Sequence, residues 1–380
     1  MVEHSKYFSP SGMSRVLKCP GSAKLCAELP DTQSDAARDG TIQHEFCEKN
    51  IHAFMFNSDL VDYSSLDKKF HGNVKSAMQM VKDLCDTNGA HVQALEYNNH
   101  IDGMDDIFGT MDVVLWSKDN KHMLVVDYKF GYNPVAAEWN TQLLIYAIIA
   151  RRIFNVKPET VTLAIIQPKV HESKPDLFTL PFREIQDWSV NNLLPVYNGV
   201  NDGSLDNTFN PGEEQCRWCK AQATCPALKD EVMDALNYQP TEDKLGDLIG
   251  KVSMIREWCA SIEARVLDAL QQGKPVPGYK LVRGRANRRW KDPEAAEKWL
   301  RLRKFKEKDR FVKKVIGIPA AEALIKGMAL SKKLQNSFSD LIEKPEGKLT
   351  YAKADDPRQE VIVETAEETL KDVTDFSDLI

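Results

Sequence analysis

No apolar run in the chain approaches the roughly 20 residues that span a bilayer, which excludes an ordinary transmembrane helix and makes a membrane partner unexpected. The opening residues, MVEHSKYFSPSGMSR, lack the apolar stretch of a secretory leader, so a cytoplasmic protein is expected. Neither G-x-x-x-x-G-K-[ST] nor G-x-G-x-x-G occurs, which leaves a P-loop motor or a dinucleotide enzyme without support. Internal repeats are absent too. In a reducing compartment disulfides are not expected, and the eight cysteines become candidate metal ligands or buried thiols.

What the chain does have is enough apolar sequence for a core: 42% hydrophobic residues over 380, a length that suits two or three domains. Its net charge of -6 is unevenly spread. Residues 274–315 hold 16 Lys and Arg against 5 Asp and Glu, whereas residues 355–380 hold 9 acidic against 2 basic residues. Such asymmetry points to a segment facing nucleic acid and an acidic tail, or to a solvated helical face and a loose end.

Hydrophobic periodicity predicts helices over 67–88, 139–154, 181–200 and 241–272, with Val74, Met78, Val81 and Leu84 near one face of the first. Ser9 or Ser11 is placed to cap a short first helix and Thr41 to cap one that carries His44. β-formers separated by turn residues predict strands near 92–97, 107–116, 122–129 and 160–167, with a hairpin turn at 117–121. This order predicts an α/β fold.

The first chemical signal is GTMDVVLW (109–116), a turn, and then MLVVDYKFG (123–131). Asp127 and Lys129 are two apart, so on a strand they share a face, and Asp112 lies on the preceding strand. Two carboxylates suit a hard divalent cation such as Mg²⁺, and a nearby lysine can orient a water and balance transition-state charge. The alternative is two surface acids with a salt-bridging lysine. Gln142 and Tyr146, four apart in QLLIYA (142–147), fall on one helix face. His44, in GTIQHEF (40–46), can add an imidazole ligand.

Taken together, these segments resemble the RecB-type branch of the PD-(D/E)XK nucleases over about residues 10–230. The resemblance implies a restriction-endonuclease-like core, in which a mixed central sheet is flanked by helices. It implies metal ligation by His44, Asp112, Asp127 and the Tyr128 carbonyl, with Lys129 as the catalytic lysine and Gln142 and Tyr146 as the downstream helix motif. Met111, where other branches carry proline, is compatible with this one. VLKCPGS (16–22) and GYKLVRGRANRRW (278–290) are similar to segments of RecB-like proteins of phages and prophages. The setting so implied is the cytoplasm of a phage's host.

The second signal is CRWCKAQATC (216–225), a C-x2-C-x5-C trio that lacks a fourth ligand. Zinc closed by a further Cys or His, or an iron–sulfur cluster on four thiolates, both fit. Cys19 and Cys26 are the rival fourth ligands. AddB-type and CRISPR-associated RecB-like nucleases pair one N-terminal cysteine with such a trio, and this resemblance implies a [4Fe–4S] cluster on Cys19, Cys216, Cys219 and Cys225, with zinc as the lesser alternative. Closing so long a loop removes roughly 5 kcal/mol of chain entropy from the unfolded state. Cys47, Cys85 and Cys259 fall in helical patterns and are expected to be packing residues.

The expectation is therefore a nuclease domain over 1–235, a basic, mainly helical accessory domain over 236–345 and an acidic tail over 346–380. In RGRANRRW (283–290) the arginines suit phosphates, and the tryptophan suits either base stacking or a small core. The implied activity is Mg²⁺- or Mn²⁺-dependent hydrolysis of DNA, by an exonuclease of phage recombination or replication. Partners would be DNA and a single-strand-binding or annealing protein. A helicase is the alternative to such a protein, because any unwinding would require a partner: the chain has no helicase motifs of its own. The rival is a catalytically inactive nucleic-acid-binding or scaffold protein stapled by zinc or iron–sulfur.

Overall fold

The computed structural model describes residues 5–29, 35–101, 103–171, 173–237, 241, 245–280 and 332. The chain divides into two units, 1–283 and 284–380, and every element named here lies in the first. The RGRANRRW stretch from residue 283 and the acidic tail fall outside the described residues.

Five strands form one mixed sheet in the order β1 (Ala90–Ile101), β2 (Met104–Ser117), β3 (His122–Tyr128), β4 (Thr160–Ile166) and β5 (Asp176–Pro181). All neighbours are antiparallel except β3 and β4, which run parallel and are joined through the crossover helix α5 (Thr141–Ile153). The hairpin between β2 and β3 is the expected one at 117–121. Asn120 adopts a left-handed φ of 58°, which asparagine tolerates, and Asp119 Oδ1 accepts bonds from Ser117 Oγ (2.6 Å) and Lys121 N (3.1 Å).

Side chains alternate across the strands, so β2 and β3 feed two cores. Val114, Trp116, Met123 and Val125 pack with Leu143, Tyr146 and Ala147 of α5. Val113, Leu115, Leu124 and Val126 pack on the opposite face with α3 (Asp35–Phe56) and α4 (Lys68–Asn88). Each fully buried Leu, Ile or Val contributes roughly 1.5–3 kcal/mol, and burial on both faces explains the near-continuous apolar runs in these two strands. On α4, Val74, Met78, Val81 and Leu84 are buried as the periodicity predicts.

Several local expectations need correction. The crossover helix begins at Thr141 because Trp139 sits at a left-handed φ of 48° and Asn140 caps the helix, its Oδ1 accepting from Leu143 N at 3.2 Å. Thr41 lies inside α3, where its hydroxyl donates to Ala37 O. Ser9 precedes the 3-10 turn Pro10–Gly12 without a capping bond from its side chain. β5 was not predicted: it is a six-residue edge strand ending in proline, with little apolar periodicity to mark it. It leads into α6 (Phe182–Trp188), a π-helical turn (Ser189–Leu193) and α7 (Leu194–Asn201), which together fill the helix expected over 181–200.

The remaining helices are short, except the last: α1 (Met13–Lys18), α2 (Ser22–Ala27), α8 (Glu213–Arg217), α9 (Pro226–Leu236) and α10 (Leu245–Gln271). Helix α10 falls in the span expected for the accessory domain, yet it packs within the first unit: its Met254 is buried against Cys216, Leu228 and Val232. Cys47 and Cys85 are buried as expected, but Cys259 on α10 is exposed. No described helix is long and apolar enough to cross a membrane.

Candidate active site and cysteine cavity

The acidic cluster forms where β2 and β3 meet the start of α5. Val113 pairs with Val126, so Asp112 and Asp127 lie one step farther along two adjacent strands. Both have the parity of the residues that face α5. Lys129 keeps that parity just past the end of β3, and its ammonium lies 2.7 Å from Asp127 Oδ2. From α5, Gln142 Nε2 donates to Asp127 Oδ1 at 2.8 Å and also reaches Tyr146 Oη at 3.2 Å, while Gln142 Oε1 accepts from Lys129 Nζ at 3.1 Å. Gln142, itself bonded to Tyr146, thus holds both members of the carboxylate–ammonium pair.

Asp112 is braced from elsewhere. Its Oδ2 accepts the Tyr128 backbone N–H at 2.7 Å, and its Oδ1 lies 3.1 Å from His44 Nδ1. His44 comes from α3, the layer opposite α5. Its ring meets Tyr128 and Phe130 edge-on at 5.9 and 5.3 Å, two aromatics that alternate with Asp127 and Lys129 and so point to the α3 side. This aromatic cradle escaped the sequence reading, although its period-2 spacing was visible there. All seven residues expected at the site, His44, Asp112, Asp127, Tyr128, Lys129, Gln142 and Tyr146, are therefore brought together.

The electrostatics are strained in a specific way. Asp112 and Asp127 are only 6% and 2% exposed. Burial pushes the Asp127 carboxyl above the usual carboxylate range; Lys129 opposes this and the Asp112 carboxylate adds to it. Burial also works against the Lys129 charge, but the two carboxylates outweigh it and hold the ammonium above its usual range. Asp127 Oδ2 accepts no well-aligned hydrogen bond, so Lys129 is its sole partner among the described residues.

The second cluster joins segments nearly the whole first unit apart. Cys19 ends α1, Cys216 lies on α8, Cys219 follows it and Cys225 precedes α9, and all four line one small cavity with Phe209 and Leu228. Backbone N–H groups of Asn210 and Gly212 approach the Cys19 and Cys216 sulfurs at 3.4 Å each. Cys26 on α2 is drawn in as well, its sulfur 3.5 Å from that of Cys219 and 3.2 Å from Arg15 Nη1. The Cys219 thiol, helped by the Arg15 guanidinium and against burial, lowers Cys26 to about 6. The bond to Cys26 and burial raise Cys219, and burial raises Cys216 and Cys225.

A polar seam fastens the two segments around the cavity. Lys24 pairs with Asp206 at 2.8 Å, Lys18 pairs with Glu214, and Gly21 N donates to Thr208 O at 2.9 Å. Gly21 is required by close approach, since a Cβ there would lie 2.8 Å from both Asp206 O and Phe209 Cε1.

Carboxylates with an imidazole are donors for hard or borderline divalent cations, and clustered thiols are donors for zinc or iron–sulfur. Among the described residues, however, no three His, Cys, Asp or Glu side chains are grouped closely enough to hold a metal ion as they stand.

One solved structure, described as the crystal structure of SSO0001, is similar over 57% of this chain and 96% of that one at 13% identity, with a TM-score of 0.24 that is too low to bear on the fold. A family model described as protein of unknown function, DUF2800, matches residues 4–359. With so nearly the full chain matched, the protein belongs to the DUF2800 family.

Proposed function

We propose that the protein is a metal-dependent deoxyribonuclease with a RecB-like PD-(D/E)XK core, acting in the cytoplasm as an exonuclease on DNA during phage recombination or replication. The observation that carries this reading is the Asp127–Lys129 pair at 2.7 Å, braced by Gln142 and set beside Asp112 on the neighbouring strand. A structural salt bridge needs no second buried carboxylate. Two of them, each almost fully buried, leave a local excess of negative charge that a divalent cation offsets.

His44, Asp112, Asp127 and the Tyr128 carbonyl would hold Mg²⁺ or Mn²⁺, and such an ion when bound polarises phosphate oxygens and acidifies a coordinated water. The chain's own groups supply the rest. Lys129, kept charged by the two carboxylates, orients the attacking water and stabilises charge on the phosphate oxygens. Gln142 fixes the ammonium and the Asp127 carboxylate at once, so neither is free to swing away. Phe130 and Tyr128 wall His44 and exclude water from its far side.

A [4Fe–4S] cluster would take Cys19, Cys216, Cys219 and Cys225, the four thiols that line one cavity, once they close on it from their present spacing, with zinc as the alternative. Its role would be structural, tying α1 to α8 and α9.

The test is digestion of linear and circular DNA with Mg²⁺ or Mn²⁺ under anaerobic conditions. Wild type is expected to degrade linear DNA, and Asp112→Ala and Lys129→Ala to be inactive. Failure to cut either DNA with the cysteine site intact favours the inactive-scaffold rival. A brown protein absorbing in the visible supports the cluster, and a colourless one with stoichiometric zinc supports the alternative.

A further inference from the structure

Beside the cysteine cavity lies an open polar groove of about 410 Å³ that the proposed chemistry does not use. One wall is the N-terminal segment, with Lys6, Ser9, Ser11 and Arg15; the other is the loop after α8, with Trp218 and Lys220. Three cations line it, of which Arg15 has its Nη1 on Ser22 and Cys26. Among the described lining residues the single acid is Glu214, which pairs with Lys18.

Trp218 is 72% exposed, and the Arg217 guanidinium sits 5.6 Å over its ring. A tryptophan left in water at the mouth of a cationic groove is not a core residue. It is a flat stacking surface edged by positive charge. The N-terminal wall of the groove packs on the strand and helix that carry the acidic cluster. Pro10, between Ser9 and Ser11, is buried against Gly109 and Tyr146: a Cβ on Gly109 would stand 2.9 Å from Pro10 Cγ and 3.4 Å from Tyr146 Cε1. Gly109 is thus a second close-approach glycine, and the turn carrying two of the groove's hydroxyls leans on the helix that braces Lys129.

From this arrangement we infer that the groove binds an unpaired DNA strand, with phosphates against Lys6, Arg15 and Lys220 and a base stacked on Trp218. The inference rests on the nuclease reading for its choice of DNA, and it adds that the strand leaving or entering the site is single. Inside a duplex each base is covered by its stacked neighbours and only the terminal pair shows a face, whereas in an unpaired strand every base can turn a face to the indole. The serine hydroxyls and the lysines recognise the backbone without regard to sequence.

The experiment measures binding of the full-length protein to a fluorescent oligodeoxythymidylate and to a duplex of equal length, by anisotropy in EDTA so that no cleavage occurs. Trp218→Ala is expected to weaken single-strand binding about tenfold and leave duplex binding unchanged, with Trp218→Phe close to wild type. Lys6→Ala and Lys220→Ala are each expected to lower the salt slope of single-strand binding by about 0.7. Single-strand binding unchanged in Trp218→Ala and in the double lysine variant would overturn the inference, as would equal loss for single strand and duplex. Cleavage is scored separately with Mg²⁺. Variant-sensitive single-strand binding without cleavage removes the hydrolytic reading and keeps the groove, and cleavage with variant-insensitive binding removes the groove alone.

Discussion

The acidic cluster and the cysteine cavity are built on opposite principles. The first draws most of its members from residues 112–146, on two adjacent strands and the crossover helix that follows them, and its rigidity comes from the sheet. Its cost is electrostatic, because burial, and beside it the Asp112 carboxylate, disfavours the charge on Asp127. The cavity joins α1 and α2 to α8 and α9 across some of the longest sequence separations in the first unit, and is held by a seam of ion pairs and thiols. Removing a group from the cluster should therefore abolish activity and spare the fold. Removing one from the cavity should loosen the fold and leave the groups of the cluster chemically unaltered.

The largest expected effect lies in the cavity. If the cysteines hold the proposed metal, a Cys19→Ser, Cys216→Ser variant should lose it and roughly 5 kcal/mol of stability, the scale of the loop closure it undoes, as read by denaturant unfolding and metal analysis. Next is Lys129→Ala, which should slow DNA hydrolysis by about 10²–10³-fold, the usual penalty for one preorganised electrostatic donor, and should lower the unfolding midpoint without unfolding the chain, because the buried Asp127 carboxylate loses its counter-charge. If Lys129→Ala instead unfolds the chain, the contrast between the two regions fails.

A sharper version of the contrast is Asp112→Asn. It should be inactive, yet in EDTA it should be more stable than wild type by about 1 kcal/mol, because a buried repulsion is relieved; site residues commonly trade stability for function in this way. Thermal unfolding without metal tests it, and a lower midpoint would count against the charge excess on which the cation reading depends.

The smallest effect belongs to a histidine outside both regions. Burial lowers the proton affinity of His122, with Asp119 opposing, and its ring bonds to Thr160 Oγ1 at 2.7 Å and Thr162 Oγ1 at 3.1 Å. Its folded pKa lies below the unfolded value of about 6.5. The stability it contributes is therefore complete above that value and lost as pH falls through the folded pKa. Unfolding followed from pH 7 to 5 should show a shallow decline that His122→Gln flattens.

The same contrast governs what sequence inspection could reach. The cluster was legible because its geometry is periodic: two residues per strand repeat align Asp127 with Lys129, and four per helix turn align Gln142 with Tyr146. The four cysteines were legible by spacing and resemblance. Cys26 is a rival fourth ligand by sequence, but that it lies against Cys219 in particular was not legible, because no local pattern encodes proximity across almost two hundred residues; that Arg15 lies against Cys26 depends on how α1 packs on α2. Strand β5 escaped notice because an edge strand needs few apolar residues. Cys259 was misassigned because a helical pattern does not say which face meets a neighbour. Thr41 was read as a helix start because threonine favours caps, but α3 simply runs through it.

His44 reaches Asp112 from one layer while Gln142 reaches Asp127 from the other, so the strands are gripped from both sides at their common tip. A chain still emerging from the ribosome therefore has no finished site until residue 146 is out and both helical layers have docked. Order of synthesis then sets when the site exists: no shorter nascent fragment carries the full set of groups, and on the nuclease reading the chain would act on DNA only once it has folded.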